Sequence, residues 1–276
     1  EKSKLTYAEK IRLEKLPGEM EALEANIAKG ESLLTDPNLY ARDPDKFNRI
    51  TTKLGELREK LEEAEMEYKV IPINLGTGDQ FKPEFLKISP NNRMPAIVDH
   101  DVNGDPISVF ESGAILWYLA EKTQQFIPED PLKKKEVLEW LFWQTGNQGP
   151  MGGQLSHFVN YAQGEHTYSH QRYLNEYDRC LGVLDRRLEN QSYIVGDSYS
   201  IADIINWPWV LIAKPLGASL DKYPNLNAWR SQIKERPAVM RGVDLGKDLR
   251  RKEPPSDDER KILFNQRGIK FNSFCK

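Results

Sequence analysis

The chain is poor in cysteine: among its 276 residues only Cys180 and Cys275 carry a thiol. Two such distant residues give neither a disulfide framework nor a zinc-ligand cluster, and a reducing cytosol is the simplest home for them. No apolar run approaches the ~18 residues of a membrane span, and the charged N-terminus lacks a signal-peptide core. Charge of one sign is also missing. The 39 Lys and Arg are nearly matched by 42 Asp and Glu, which argues against a general polyanion binder. No Gly-x4-Gly-Lys-Ser/Thr pattern occurs, so P-loop ATP hydrolysis is excluded. The four histidines, His100, His157, His166 and His170, form no Ser-His-Asp signature and no metal-ligand spacing. The first residue is Glu1 rather than methionine, which suggests a fragment or a processed product. What remains is a chain long enough for two domains, with enough apolar and aromatic residues for real cores.

Three segments follow different patterns. Up to about residue 67, apolar residues step by three and four through Leu13, Leu16, Met20, Leu23, Ile27 and Leu34, then again through Phe47, Ile50, Leu54, Leu57, Leu61, Ala64 and Tyr68. Breakers lie between the two sets at Thr35-Asp36-Pro37-Asn38 and Asp43-Pro44, so the spacing predicts an antiparallel coiled-coil hairpin, kinked at Pro17-Gly18. Residues 68–124 read as strand Tyr68–Ile73, helix Pro83–Ile88, strands Ala96–Asp99 and Ile107–Phe110, and helix Ser112–Glu121. Residues 131–250 read as helices, with aromatic and apolar faces at Trp140, Phe142 and Trp143 and at Leu174, Tyr177, Leu181, Leu184 and Leu188. Ser200-Ile201-Ala202-Asp203 is a capping box at the start of one of them. Residues 251–276 are polar and lose the apolar period, which predicts a tail, with Cys275 an exposed thiol.

The stretch from Asn91 to Ser112 carries the chemistry. Pro95 directly precedes a strand and suits a bend or a cis bond that turns the backbone N–H and C=O of Met94 outward. Glu111 and Ser112 stand at a helix N-terminus, where free N–H groups and the helix dipole favour a carboxylate, the Ser112 hydroxyl can donate to it, and Glu111 can hold an ammonium. Together these groups suit an amino-acid head group. Taken singly, Ser112 reads as a cap, Glu111 as a first-turn acid and Pro95 as an edge-strand proline.

The run Gly76-Thr77-Gly78-Asp79-Gln80-Phe81, Pro83-Glu84-Phe85-Leu86, Ser89 to His100 and Phe110 to Ile115 resembles the glutathione transferases, and their bacterial nu-class branch in particular. The resemblance spans roughly Tyr68 to Phe264. It implies a fold that is mainly α with a small α/β part: a truncated thioredoxin-like domain, then an all-helical C-terminal domain whose buried central helix starts at Ser200 and Asp203. It also implies that Glu111 and Ser112 hold the γ-glutamyl end of glutathione, that Met94 pairs with the cysteinyl part beside a cis Pro95, and that Gln80, Arg93 and Arg172 contact the remainder. The alternative for Arg172 is a solvated helix arginine. Lys4 to Tyr7, Leu13 to Pro17, Ile27, and Leu39-Tyr40 before Asp43-Pro44 resemble the C-terminal coiled-coil domain of ABC-F ATPases, a module linked to nucleic acid; the hairpin's mixed charge makes that a weak partner here.

The family's first strand, and the loop after it that activates the glutathione thiol, find no match in this chain. Its catalytic residue is therefore unassigned, and a weakened N-terminal domain is expected, because buried backbone groups without partners cost about 1–3 kcal/mol each. The resemblance implies glutathione as co-substrate without metal or ATP, a small electrophile or disulfide as second substrate, a homodimer, and a cytoplasmic enzyme with conjugating or disulfide-reductase activity. The competing reading is a non-catalytic chimera whose hairpin binds a partner while the transferase part serves as a dimerising scaffold; a third is a fusion or assembly error with no selected function as a unit.

Overall fold

A computed structural model describes residues 22–23, 25–36, 39–51, 53–54, 66, 68–250 and 253–264. Its contacts divide the chain into two compact units, Glu1–Val70 with Glu235–Lys247, and Ile71–Lys234 with Asp248–Lys276.

In the first unit, α1 (25–34) and α3 (44–51, with 53–54 also helical) flank the single turn α2 (Leu39–Arg42). The connection is closed by local polar bonds. The Thr35 hydroxyl donates to the Ser32 carbonyl at 2.7 Å, Arg42 pairs with Asp36 at 3.0 Å, and the Asp43 carboxylate caps α3 by accepting from the Lys46 N–H at 2.9 Å. Pro44 follows that cap at a position where its missing N–H costs nothing. The two helices meet at a glycine: a Cβ on Gly30 would lie 2.7 Å from Leu54 Cδ2. Leu39 and Leu54 are buried. Leu13, Leu16, Met20, Pro17-Gly18, Leu57, Leu61 and Ala64 of the heptad pattern lie outside the described residues. The same unit contains α11 (Pro237–Asp244).

The second unit opens with two 3-10 turns, Leu75–Thr77 and Asp79–Phe81, and the short helix α4 (Pro83–Leu86). Strands β1 (Ala96–Asp99) and β2 (Ile107–Phe110) form a two-stranded antiparallel sheet in which Ala96 faces Phe110 and Asp99 faces Ile107. The strand expected over Tyr68–Ile73 is not formed. A strand is defined by its ladder, and no third strand stands beside this segment among the described residues, so Tyr68 and Ile71 are left largely exposed. The hairpin is instead secured from its far end. Asp99 accepts from the Tyr118 hydroxyl at 2.7 Å and from Lys122 at 2.6 Å, both on α5 (Ser112–Thr123).

The remaining helices are α6 (Pro131–Trp143), α7 (Gly149–Asn160), α8 (Thr167–Arg187), α9 (Ile201–Leu211) and α10 (Pro224–Lys234), with a π-helical turn, Gln144–Gln148, joining α6 to α7. The core gathers on α9. Ile201, Ala202, Ile205, Trp207 and Val210 are buried there, where α9 packs on α5, α6 and α10, and Tyr177, Leu181 and Leu184 of α8 and Leu226, Trp229 and Ile233 of α10 are buried as well. Of the aromatic face expected on α6, Trp140 and Trp143 meet edge to face at 5.1 Å, whereas Phe142 points to solvent, 73% exposed.

The start of α9 is a buried knot of polar bonds. Ser200 Oγ accepts from the Ala202 N–H, and Asp203 accepts four bonds, from Ser200 N–H (2.9 Å), Ser200 Oγ (3.1 Å), Ile194 N–H (2.9 Å) and Trp229 Nε1 (2.9 Å). The polar segment expected to be a tail carries an ordered helix, α12 (Asp257–Phe264). The reason is local: Ser256 and Glu259 form a reciprocal cap, Ser256 N–H to Glu259 Oε2 at 2.8 Å and Glu259 N–H to Ser256 Oγ at 3.3 Å. Cys275 lies outside the described residues.

Candidate functional site

The register of the hairpin builds the site. Ala96 faces Phe110, so Met94 and Pro95 precede β1 at the end of the hairpin where Glu111 and Ser112 follow β2. The Met94-Pro95 bond is cis, and Met94 is 46% exposed. Ser112 opens α5, whose first intrahelical bond runs from the Ile115 N–H to the Glu111 carbonyl at 2.9 Å. The N–H groups of Ser112, Gly113 and Ala114 therefore have no intrahelical acceptor.

Two features hold this arrangement. Glu111 is a non-glycine residue at φ 68°, ψ 122°, a conformation that costs on the order of 1–3 kcal/mol and persists only where the surroundings impose it. Its carboxylate accepts from Asn91 Nδ2 at 3.1 Å, while Ser89 Oγ donates to the Arg93 carbonyl at 2.8 Å and so fixes the loop leading to the cis bond. Gly113 lets α5 start close to the helical core: a Cβ there would be 3.3 Å from Thr145 Cγ2 and 3.6 Å from Ile205 Cδ1. At the other end of the hairpin, burial raises the Asp99 carboxyl, but Lys122 and Tyr118 outweigh it and hold the group below the usual carboxylate range.

The other residues singled out by sequence fall elsewhere. Gln80 is buried in the second 3-10 turn, its Nε2 3.4 Å from the Leu75 carbonyl and its Oε1 without a hydrogen-bond partner among the described residues. Arg93 is exposed. Arg172 is exposed on α8, where it pairs with Glu176 at 2.8 Å, and Glu176 is also paired with Arg179 at 3.0 Å. Helix α8 packs on α7 and α10. Sequence reasoning passed over Asn91 and Ser89 as orienting groups, although asparagines clustered beside a proline are a turn signal. No group of metal-ligating side chains occurs among the described residues. Cys180 is fully buried, and burial pushes its thiol pKa up, which makes it packing rather than a nucleophile.

Comparison with known proteins decides the family. The chain matches "Glutathione S-transferase, N-terminal domain" over residues 53–121, "Glutathione S-transferase, C-terminal domain" over 158–237 and "ABC transporter C-terminal domain" over 4–70. It is 49% identical over 181 residues to the disulfide-bond oxidoreductase YfcG of Escherichia coli (strain K12), covering 65% of this chain and 84% of that protein. The chain belongs to the glutathione transferase family. A second relative, the disulfide-bond oxidoreductase YghU of the same strain, is 40% identical over 211 residues, covering 74% of this chain and 73% of that protein. Among solved structures, a glutathione transferase from Burkholderia graminis with two glutathione molecules bound per subunit aligns with TM-score 0.63 at 42% identity over 67% of this chain and 80% of that one. Ure2p in complex with glutathione aligns with TM-score 0.61 at 30% identity, covering 66% and 89%. The transferase fold, mainly helical with a small antiparallel sheet, is thus the one the sequence implied.

Proposed function

We propose that this chain is a glutathione-binding transferase of the nu-class branch that uses the tripeptide to reduce a disulfide or to conjugate a small electrophile. The observation that carries this reading is that Met94 precedes β1 and Glu111 and Ser112 follow β2 at the same end of the antiparallel ladder, in a chain similar to two disulfide-bond oxidoreductases. The γ-glutamyl carboxylate would lie on the free N–H groups of Ser112 and Gly113 and accept from the Ser112 hydroxyl. The γ-glutamyl ammonium would pair with Glu111, whose second partner, Asn91, keeps the carboxylate aimed. Met94 would offer its backbone N–H and C=O to the cysteinyl unit. Gln80 and Arg93 serve the glycyl side, and Arg172 joins only by releasing Glu176.

On this reading the sequence offers no match for the family's first strand, and the overlap of the two family matches over residues 53–70 supports the end of the coiled-coil segment taking the place of the family's first helix. With no match to the loop that follows that strand, no hydroxyl or amide is assigned to the sulfur, and on this reading bound glutathione keeps a thiol near its free pKa of about 8.5. Turnover then rises with pH up to that value, since the thiolate is the nucleophile. A homodimer in a reducing cytosol completes the proposal. Isothermal titration of the full chain with glutathione and with glutathione disulfide is the test: saturable binding of either supports the site, and heat of dilution alone for both rejects it.

A further inference from the structure

We propose that α12 positions the turn 74–81, and that Arg260, Ile262 and Phe264 thereby set the affinity of the glutathione site. The inference rests on the reading that Gln80 and its turn belong to that site. Polar bonds within the turn join near neighbours: Asn74 Oδ1 accepts from Gly76 N–H at 3.0 Å, Asp79 Oδ2 from Asn74 N–H at 3.0 Å, and Lys82 pairs with Asp79 at 2.7 Å. Such bonds fix the shape of the turn but not its place in the fold. The chain leading into it, Tyr68–Ile73, forms no strand and supplies no ladder to hold it.

Helix α12 supplies an attachment. It packs along Leu75–Thr77, and Ile262 Cγ2 lies 3.8 Å from where a Cβ on Gly78 would sit. Its other contacts reach the C-terminal end of α7. Arg260 Nη1 donates to the Tyr161 carbonyl at 2.5 Å, and the Phe264 ring lies 5.0 Å from that of His157 and 5.3 Å from that of Tyr161. The cap formed by Ser256 and Glu259 and the Asp258–Lys261 pair at 2.7 Å stabilise the helix between these two attachments. Helix α12 is therefore a clasp that relates the turn to the helical core. Because Gln80 is buried with its amide oxygen unpartnered, a displacement of the turn changes what that group can reach.

The experiment compares the full chain with its Phe264→Ala, Arg260→Gln and Phe264→Tyr variants by hydrogen exchange and by glutathione titration. In Phe264→Ala and Arg260→Gln, exchange over 74–81 should rise roughly tenfold with α8 and α9 unchanged, the glutathione Kd should rise by about the same factor, and Phe264→Tyr should restore both. Unchanged exchange over 74–81 would overturn the clasp, as would a loss of protection spread equally over α8 and α9, which marks a purely structural role. Glutathione titration of the unaltered chain judges the site separately, since the exchange measurement does not depend on ligand.

Discussion

Replacing Asp203 with asparagine keeps the shape of the buried side chain and turns one acceptor oxygen into a donor. Two orientations are available. With the amide NH2 toward Ile194 and Trp229 it would face two N–H groups that cannot accept, so the asparagine should place it toward Ser200 and leave its oxygen on Ile194 N–H and Trp229 Nε1. The Ser200 hydroxyl can rotate to accept from the new amide, but the Ser200 N–H, 2.9 Å from Asp203 Oδ2, loses its acceptor. One buried orphan donor costs about 1–3 kcal/mol, and the surviving bonds lose their charge assistance, so the expected loss is about 2–4 kcal/mol. Asp203→Ala orphans all four donors and should cost more than the asparagine variant, while Ser200→Ala removes a helix cap worth about 1 kcal/mol. Native-state exchange at the Ile194 amide of the full chain reads the effect at the site itself, with urea unfolding as the global measure. A cost below about 1 kcal/mol for Asp203→Asn would refute the claim that the four-donor knot secures α9.

Glu111→Gly should raise thermal stability by up to about 1 kcal/mol, since glycine accepts φ 68° without strain, while weakening glutathione binding at least tenfold; scanning calorimetry and titration measure the two. Ser112→Ala should weaken the same titration by a single hydrogen bond, about 1 kcal/mol. The Asp99 clamp stabilises the fold above the unfolded carboxylate pKa of about 3.9 and loses that contribution as pH falls toward the lower folded value, so acid titration of stability in Asp99→Asn should be flatter than in the parent below that pH. Gly30→Ala gains about 1 kcal/mol of helix propensity but sets a Cβ 2.7 Å from Leu54 in a buried contact costing about 1–3 kcal/mol, so urea melts should show a net loss.

Several of these features were legible in the sequence because they are encoded within a few residues of one another. Pro95 before an apolar strand, Glu111-Ser112 before a helix, and Ser200 three residues ahead of Asp203 each announce themselves locally. The strand expected over Tyr68–Ile73 failed for the opposite reason: its apolar residues describe a surface that fits a sheet, but pairing depends on a partner that a local pattern cannot supply. Gln80 was expected as a glutathione contact, and its own spacing gave no sign of its burial. Arg172 was open between two readings, and the i+4 carboxylate of Glu176 takes it in this structure. Helix α12 was missed although its signal is written in Ser256-Asp257-Asp258-Glu259, the same cap grammar recognised at Ser200, because acidic composition masked it.

The hairpin mouth is also local in a topological sense. Its structural ties, Ser89 to Arg93, Asn91 to Glu111 and Asp99 to Tyr118 and Lys122, all run between neighbours in a single continuous stretch of chain. Such a cassette closes short loops and should form early in folding, without waiting for a wider sheet to assemble around it. A site built this way can outlive the loss of a flanking strand, and can be carried intact from one protein background to another.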